Sequence, residues 1–334
     1  MHCTFRPATL ISAVSAAALF LGVAGCVEPE SPESEDRLSE AAQEIIPISV
    51  HEVTFPGPES TALAGNLLSG VVYDKGGIYF SRPAVIMMHG CTGMWEGTAG
   101  LPTARQPNIE KWGMELAAHG IHVLAVDSFT RRGNDQDRCQ QPAGGVADPY
   151  TDRAKDVNAA RAYLASLPGI DGARIGLIGW SQGAQAAMVE TAATTKDLDS
   201  PKFFPPPAYP ATVLFYPGCG LDLGFRAPAS PVSTSFWRPR QKVRLNMGSV
   251  DDFFGDCNTR TEIAVDTFGA GPGTANEVVF RSFGNADHTF DSRSNTWPDD
   301  ECDDVNFPGP AADECAADTA DIESLAFLLQ ELQD

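Results

Sequence analysis

Residues 179–184 read GWSQGA, which places Ser181 at the centre of a G-x-S-x-G pattern. With Gly and Ser each near ~7% of ordinary sequence, a chain this long shows that pattern by chance about one time in ten. The flanking residues carry the decision. RIGLIGW (174–180) is a short apolar run that reads as a buried strand, and SQGAQAAMVETAATT (181–195) reads as an Ala-rich helix. A strand, a sharp turn at a serine and an outgoing helix form the setting that lifts a hydroxyl clear of a sheet. In that setting the serine backbone is strained. Gly179, Gly183 and Ala184 are small because strand and helix pass close together.

Working outward, strands and helices alternate. ISVHEVTF (48–55) and NLLSGVVYDK (66–75) predict an antiparallel N-terminal hairpin. PAVIMMHG (83–90), IHVLAVDSF (121–129), ATVLFYPG (211–218), KVRLNMGS (242–249) and EVVFRSFG (277–284) predict further strands. IEKWGMELAAHG (109–120), DPYTDRAKDVNAARAYLASLPG (148–169) and DTADIESLAFLLQEL (318–332) predict helices; in the second, Ala154, Val157, Arg161 and Leu164 keep helical spacing. The alternation predicts an α/β, mostly parallel, doubly wound sheet with helices on both faces. Ligand sites in such sheets gather beyond the carboxyl ends of the strands.

A serine hydroxyl needs a base, and a base needs an acid to hold its tautomer. Of six histidines, His288 in FGNADHTFD lies just past the last strand and is the expected base. His89, ending the strand in MMHG, is the lesser candidate, and His51, His119 and His122 read as structural. NMGSVDDFFGD (246–256) puts Asp251 and Asp252 past the preceding strand, and Asp251, nearer the strand exit, is the expected acid. Ser181, Asp251 and His288 follow the serine–acid–histidine order of one known triad arrangement. Asp127 precedes the serine and reads as structural. The negative charge of a tetrahedral intermediate calls for N–H donors. One is the backbone N–H of Gln182, and the other is expected from the backbone of Cys91 in HGCTGMW (89–95). Trp95 in the same loop either walls a pocket or simply packs. Arg131 and Arg132 either bind an anionic substrate or pair with nearby acids.

The chain has 334 residues, 43% of them hydrophobic, enough for one sizeable core, and a formal net charge of −21 argues against a nucleic-acid partner. Residues 1–25 read as a signal peptide that ends at VAGC, resembling a bacterial lipoprotein signal in which Cys26 takes the lipid. The Pro/Glu/Ser-rich stretch within 26–47 reads as an acidic tether, and 48–334 as the folded domain. The expectation is a membrane attachment through Cys26 and a location on the periplasmic or extracellular face of the bacterial envelope. Without Cys3 and Cys26 six cysteines remain, an even number that suits disulfides in an exported domain and allows fifteen pairings. The acidic insert near 298–318 reads as a solvated loop, with Ca²⁺ binding as the alternative. No zinc motif is present and no cofactor is expected.

HGCTGMWE, VDSFTRRG, IGWSQGA, YPGCG, GSVDDFFGDC and ADHTFD, in that order, make residues 48–334 resemble the dienelactone hydrolase family of the α/β-hydrolase fold. The resemblance implies cleavage of carboxylic ester or lactone bonds. It also implies the disulfides Cys91–Cys139 and Cys219–Cys257, which leaves Cys302–Cys315. Departures from the family pattern are a serine in place of its cysteine nucleophile, Gly90 where it carries a glutamate, and Ser292 where it has a second substrate-binding arginine, the first matching Arg131. Alternatives with the same triad are a peptidase or a polyester depolymerase. A non-catalytic envelope-binding lipoprotein is the alternative of a different class.

Overall fold

The apolar runs bounded by Gly and Pro become strands of one sheet. The computed structural model describes residues 46–58, 63–77, 81–96, 104–133, 139, 147–193, 209–219, 237–292, 298 and 310–333. Cys26, the leader and the tether lie outside the described residues. In chain order the strands are β1 (Ser49–Pro56), β2 (Leu67–Asp74), β3 (Arg82–Met88), β4 (Trp95–Glu96), β5 (Ala104–Arg105), β6 (His122–Asp127), β7 (Ile170–Trp180), β8 (Ala211–Phe215), β9 (Lys242–Gly248) and β10 (Val278–Phe283). The helices are α1 (Pro107–Ala118), α2 (Asp152–Ser166), α3 (Gln182–Thr191), α4 (Phe254–Phe268) and α5 (Pro310–Gln333).

Eight strands join in the order β1-β2-β6-β3-β7-β8-β9-β10. β1 pairs antiparallel with β2, β2 antiparallel with β6, and every later neighbour is parallel. β3, β6 and β8 are buried nearly end to end, as strands covered on both faces must be, whereas edge strand β1 is largely exposed. α1 and α5 pack together through the buried ion pair of Lys111 and Asp321, and α2 packs on α3, giving helices on both faces. The sheet is that of the α/β-hydrolase fold.

Three elements depart from the sequence reading. Trp95 lies on a two-residue strand paired with β5 rather than in a plain loop. α4 was not anticipated: its residues Phe254–Phe268 follow the acidic turn without a strong apolar stripe, and the helix stops at Gly269, whose φ of 68° suits glycine. Residues 310–318 of the acidic insert are the first turns of α5, buried through Ala312, Ala316 and Ala317, not a solvated loop. In that stretch Asp313 accepts the Asp287 N–H at 2.8 Å, and residues 299–309 of the insert lie outside the described residues. Arg161 is only half-buried, while Ala154, Val157 and Leu164 are buried as expected and are joined by Arg153, Asp156 and Ala160.

Candidate active site

β7 carries Ser181 to the carboxyl edge of the sheet, where its backbone turns to φ 47°, ψ −115° before α3 begins. A non-glycine residue adopts such a conformation only when its surroundings impose it. Here they do: the Ser181 N–H donates to the Phe215 carbonyl at 2.9 Å, and the Ser181 carbonyl accepts the Gln185 N–H at 3.0 Å, anchoring both sides of the turn. α3 leaves the turn so close to β3 that a Cβ at Gly183 would lie 2.1 Å from the Met88 carbonyl oxygen. Glycine is required there, as the motif anticipates.

The loops after β9 and β10 bring the other two groups to this hydroxyl. His288 Nε2 lies 3.0 Å from Ser181 Oγ, and His288 Nδ1 lies 2.7 Å from Asp251 Oδ2. Asp251 is buried, and its second oxygen accepts the Phe253 N–H at 2.8 Å, so the carboxylate is fixed in its own turn. An ionised carboxylate only accepts, so Nδ1 carries the imidazole proton and Nε2 faces the serine as an acceptor. Asp252 is exposed and takes no part in this chain of bonds. The rings of Tyr216 and Phe253 flank the imidazole edge-on, with centroids 4.8 and 5.9 Å from it.

Gln182 opens α3, which puts its backbone N–H at a helix N-terminus beside Ser181. Gly90 lies against the same serine, since a Cβ on it would be 3.7 Å from Ser181 Cβ. Cys91 follows directly and is disulfide-bonded to Cys139; Cys219 is bonded to Cys257. Both pairings match the resemblance. Cys302 lies outside the described residues, so its pairing with Cys315 does too. Trp95 donates its indole N–H to Asp127 at 2.9 Å, and Asp127 also accepts the N–H groups of Phe129 and Thr130, a structural role as expected. Arg131 donates to Thr54 on β1, and no contact with Ser181, Asp251 or His288 is present among the described residues. Arg132 forms a buried two-bond ion pair with Asp156, which decides for pairing over ligand binding at that position.

His89 and His122 are buried away from the Ser181 hydroxyl. Burial and the nearby Arg153 guanidinium hold His89 well below the usual imidazole range, and burial pushes His122 down to about 4 against a partly offsetting Asp74. Among the described residues no group of three or more His, Cys, Asp or Glu is arranged to hold a metal ion.

Two groups around the site escaped the sequence reading. Asp291, three residues after His288 and fully buried, accepts the indole N–H of Trp180 at 2.6 Å and the phenol of Tyr216. It therefore ties the histidine loop to the residue before the nucleophile. Burial raises its carboxyl above the usual range, as it does that of Asp321, pushed to about 7, with Lys111 opposing both. The second group is Arg153, with no side-chain exposure and its fork beneath the serine turn. The sequence signal for it was the stripe itself: a charged residue at 153 in step with 157, 160 and 164 must be buried if the helix is.

A sheet of this topology with a serine, histidine and aspartate in one hydrogen-bonded row at its carboxyl edge defines an α/β-hydrolase. The profile of the dienelactone hydrolase family matches residues 68–328, and the chain belongs to that family. Among solved structures, a dienelactone hydrolase-like promiscuous phosphotriesterase from metagenomic libraries is similar, with TM-score 0.53 and 17% identity over 85% of this chain and 98% of that one. Esterase 2 of Thermogutta terrifontis, phosphorylated by paraoxon, gives TM-score 0.51 and 17% identity over 86% of this chain and 95% of that one. At these identities the likeness speaks to fold. No curated protein sequence matches the chain.

Proposed function

We propose that this protein hydrolyses carboxylic ester or lactone bonds through Ser181, His288 and Asp251. The observation that carries the reading is the unbroken row from Ser181 Oγ to His288 Nε2 at 3.0 Å and from Nδ1 to Asp251 at 2.7 Å. In the reaction His288 takes the hydroxyl proton as Ser181 Oγ bonds to the carbonyl carbon. The backbone N–H groups of Cys91 and Gln182 hold the resulting oxyanion, and Asp251 stabilises the imidazolium. His288 then protonates the leaving alcohol as the C–O bond breaks, leaving an acyl-serine. Water gives a proton to His288 as it attacks the acyl carbon, and His288 returns a proton to Ser181 Oγ as the acyl–serine bond breaks, releasing the acid and restoring the enzyme.

Family membership supports this chemistry, and the esterase named above, phosphorylated by paraoxon, supplies a probe for it. Export with lipid on Cys26 is part of the same proposal, supported by VAGC at 23–26 and by two disulfides that an oxidising compartment preserves. The test is turnover of p-nitrophenyl acetate, butyrate and octanoate by the disulfide-bonded domain, with Ser181→Ala beside it. The parent is expected to turn over and to take one paraoxon-derived phosphoryl group per chain. Ser181→Ala is expected to lose at least ~10⁴-fold in kcat and to take none. A folded parent that neither hydrolyses the esters nor is phosphorylated ends the reading.

A further inference from the structure

Both expected oxyanion donors trace to one buried cation. Arg153, on the first turn of α2, has no exposure, and its guanidinium meets the two segments that supply those donors. One nitrogen, Nη2, donates to the His89 carbonyl, at the exit of β3, and the other, Nη1, donates to the Gln182 side-chain oxygen at 3.2 Å. The guanidinium carbon lies 5.1 Å from the centre of the Phe129 ring, and the His89 ring stands edge-on to the same ring at 4.6 Å. Nearby acids are committed elsewhere, Asp156 to Arg132 and Asp127 to Trp95 and two backbone N–H groups. What Arg153 holds is the serine turn and the loop facing it.

The His89 ring extends the device by one peptide. The Ser128 N–H donates to His89 Nε2 at 3.2 Å, so Nε2 is an acceptor and the ring proton sits on Nδ1. Nδ1–H donates to the Gly90 carbonyl at 2.7 Å, and the Gly93 N–H reaches the same oxygen at 3.3 Å. The C=O of Gly90 and the N–H of Cys91 belong to one planar trans peptide and point in opposite directions. Holding the carbonyl against His89 therefore turns the Cys91 N–H outward, on a segment where a Cβ at Gly90 would lie 3.7 Å from Ser181 Cβ. Burial keeps the imidazole neutral, which this donor-and-acceptor arrangement requires.

We propose that Arg153 is a positioning residue that sets both oxyanion donors at once, Cys91 through the His89 segment and Gln182 through its side chain. The inference deepens the hydrolase reading and rests on it. A residue that positions oxyanion donors has a specific signature. Its loss lowers kcat and weakens tetrahedral, oxyanion-bearing inhibitors by similar factors while KM for the planar ester stays put. A residue that merely stabilises the fold lowers the melting temperature and leaves the folded enzyme's kcat intact.

The experiment compares the parent with Arg153→Met, Arg153→Lys and Gln182→Met, using p-nitrophenyl acetate turnover, inhibition by phenylboronic acid and a thermal melt. Removing a single oxyanion donor elsewhere costs roughly 10²–10³ in kcat, and misplacement of two is expected to cost Arg153→Met at least ~30-fold. The boronate inhibition constant should rise in step and KM should change less than about threefold. Arg153→Lys keeps the charge but loses the fork and should fall at least ~10-fold; Gln182→Met, which retains its backbone N–H, should fall about 3- to 10-fold. Kcat and boronate affinity within twofold of the parent in a folded Arg153 variant overturn the proposal. If neither Arg153 variant folds, Gln182→Met decides by the same criterion. A parent without turnover would instead remove the hydrolase reading, and this inference with it.

Discussion

Ser181 and His288 meet at 3.0 Å, yet the two sides of that contact are built differently. On the serine side, main chain packs on main chain. β7, the turn and α3 approach β3 closely enough that one added carbon at Gly183 would collide with the Met88 carbonyl. On the histidine side the loops after β9 and β10 are also pinned main chain to main chain, the Val250 N–H donating to the Ala286 carbonyl at 3.1 Å and a Cβ at Gly248 falling 2.3 Å from that same oxygen, but side chains add a second layer: Asp251 against the imidazole, and Asp291 against Trp180 and Tyr216. The outer rim of that side is open to solvent and mixes apolar with charged groups, with Val250 56% and Phe253 38% exposed beside the exposed Asp252 and Asp287. Backbone packing fixes where attack starts and leaves little room for variation. Side chains added to backbone-pinned loops fix His288 while leaving the surrounding rim free to change.

The sharpest way to break this contrast is Gly183→Ala. The added methyl has backbone on the other side, which cannot rotate away, so the turn must shift. A loss of at least ~100-fold in kcat, with a lower melting temperature, is expected from turnover and calorimetry. Unchanged kcat would mean the close approach is not what holds the serine. Next comes Asp291→Ala, which leaves the Trp180 N–H and Tyr216 O–H buried without an acceptor. Denaturant unfolding should show a loss of about 2–5 kcal/mol, and kcat should fall roughly tenfold as the histidine loop loosens. If stability falls and kcat does not, Asp291 supports the core and not the base. The smallest effect is expected from Phe253→Ala: kcat/KM for the octanoate ester drops about 3- to 5-fold relative to acetate, as part of an apolar contact is removed. Equal effects on both esters would take Phe253 out of the acyl path.

The same contrast explains what was legible in the sequence. The serine side is written locally: GWSQGA between an apolar run and an alanine-rich helix fixes strand, turn and helix within about twenty residues. The acid and base were narrowed by strand exits and chain order to Asp251 or Asp252 and to His288 ahead of His89, and the geometry joins Asp251 and His288. Asp291 and Arg153 were not, because each acts on partners about 30 to 110 residues away in sequence, and hydrophobic spacing says nothing about such pairings. α4 was missed for a related reason, since its burial rests on a few residues, among them Cys257, which is pinned by a disulfide rather than by a stripe. Arg131, aligned with a substrate-binding arginine by resemblance, donates one hydrogen bond to Thr54 on the edge strand.

The Cys91–Cys139 bond ties the residue expected to offer an oxyanion donor to a segment 48 positions further along the chain. Thiol-rich cytosol does not sustain such bonds, and the export proposed above takes the chain to surroundings that do. On that proposal synthesis and competence are separated in space: a newly made chain carries Ser181, His288 and Asp251 from the start, but the fastening of the loop at Cys91 is completed at the destination, so the cell is spared a finished form of the proposed esterase among its own esters.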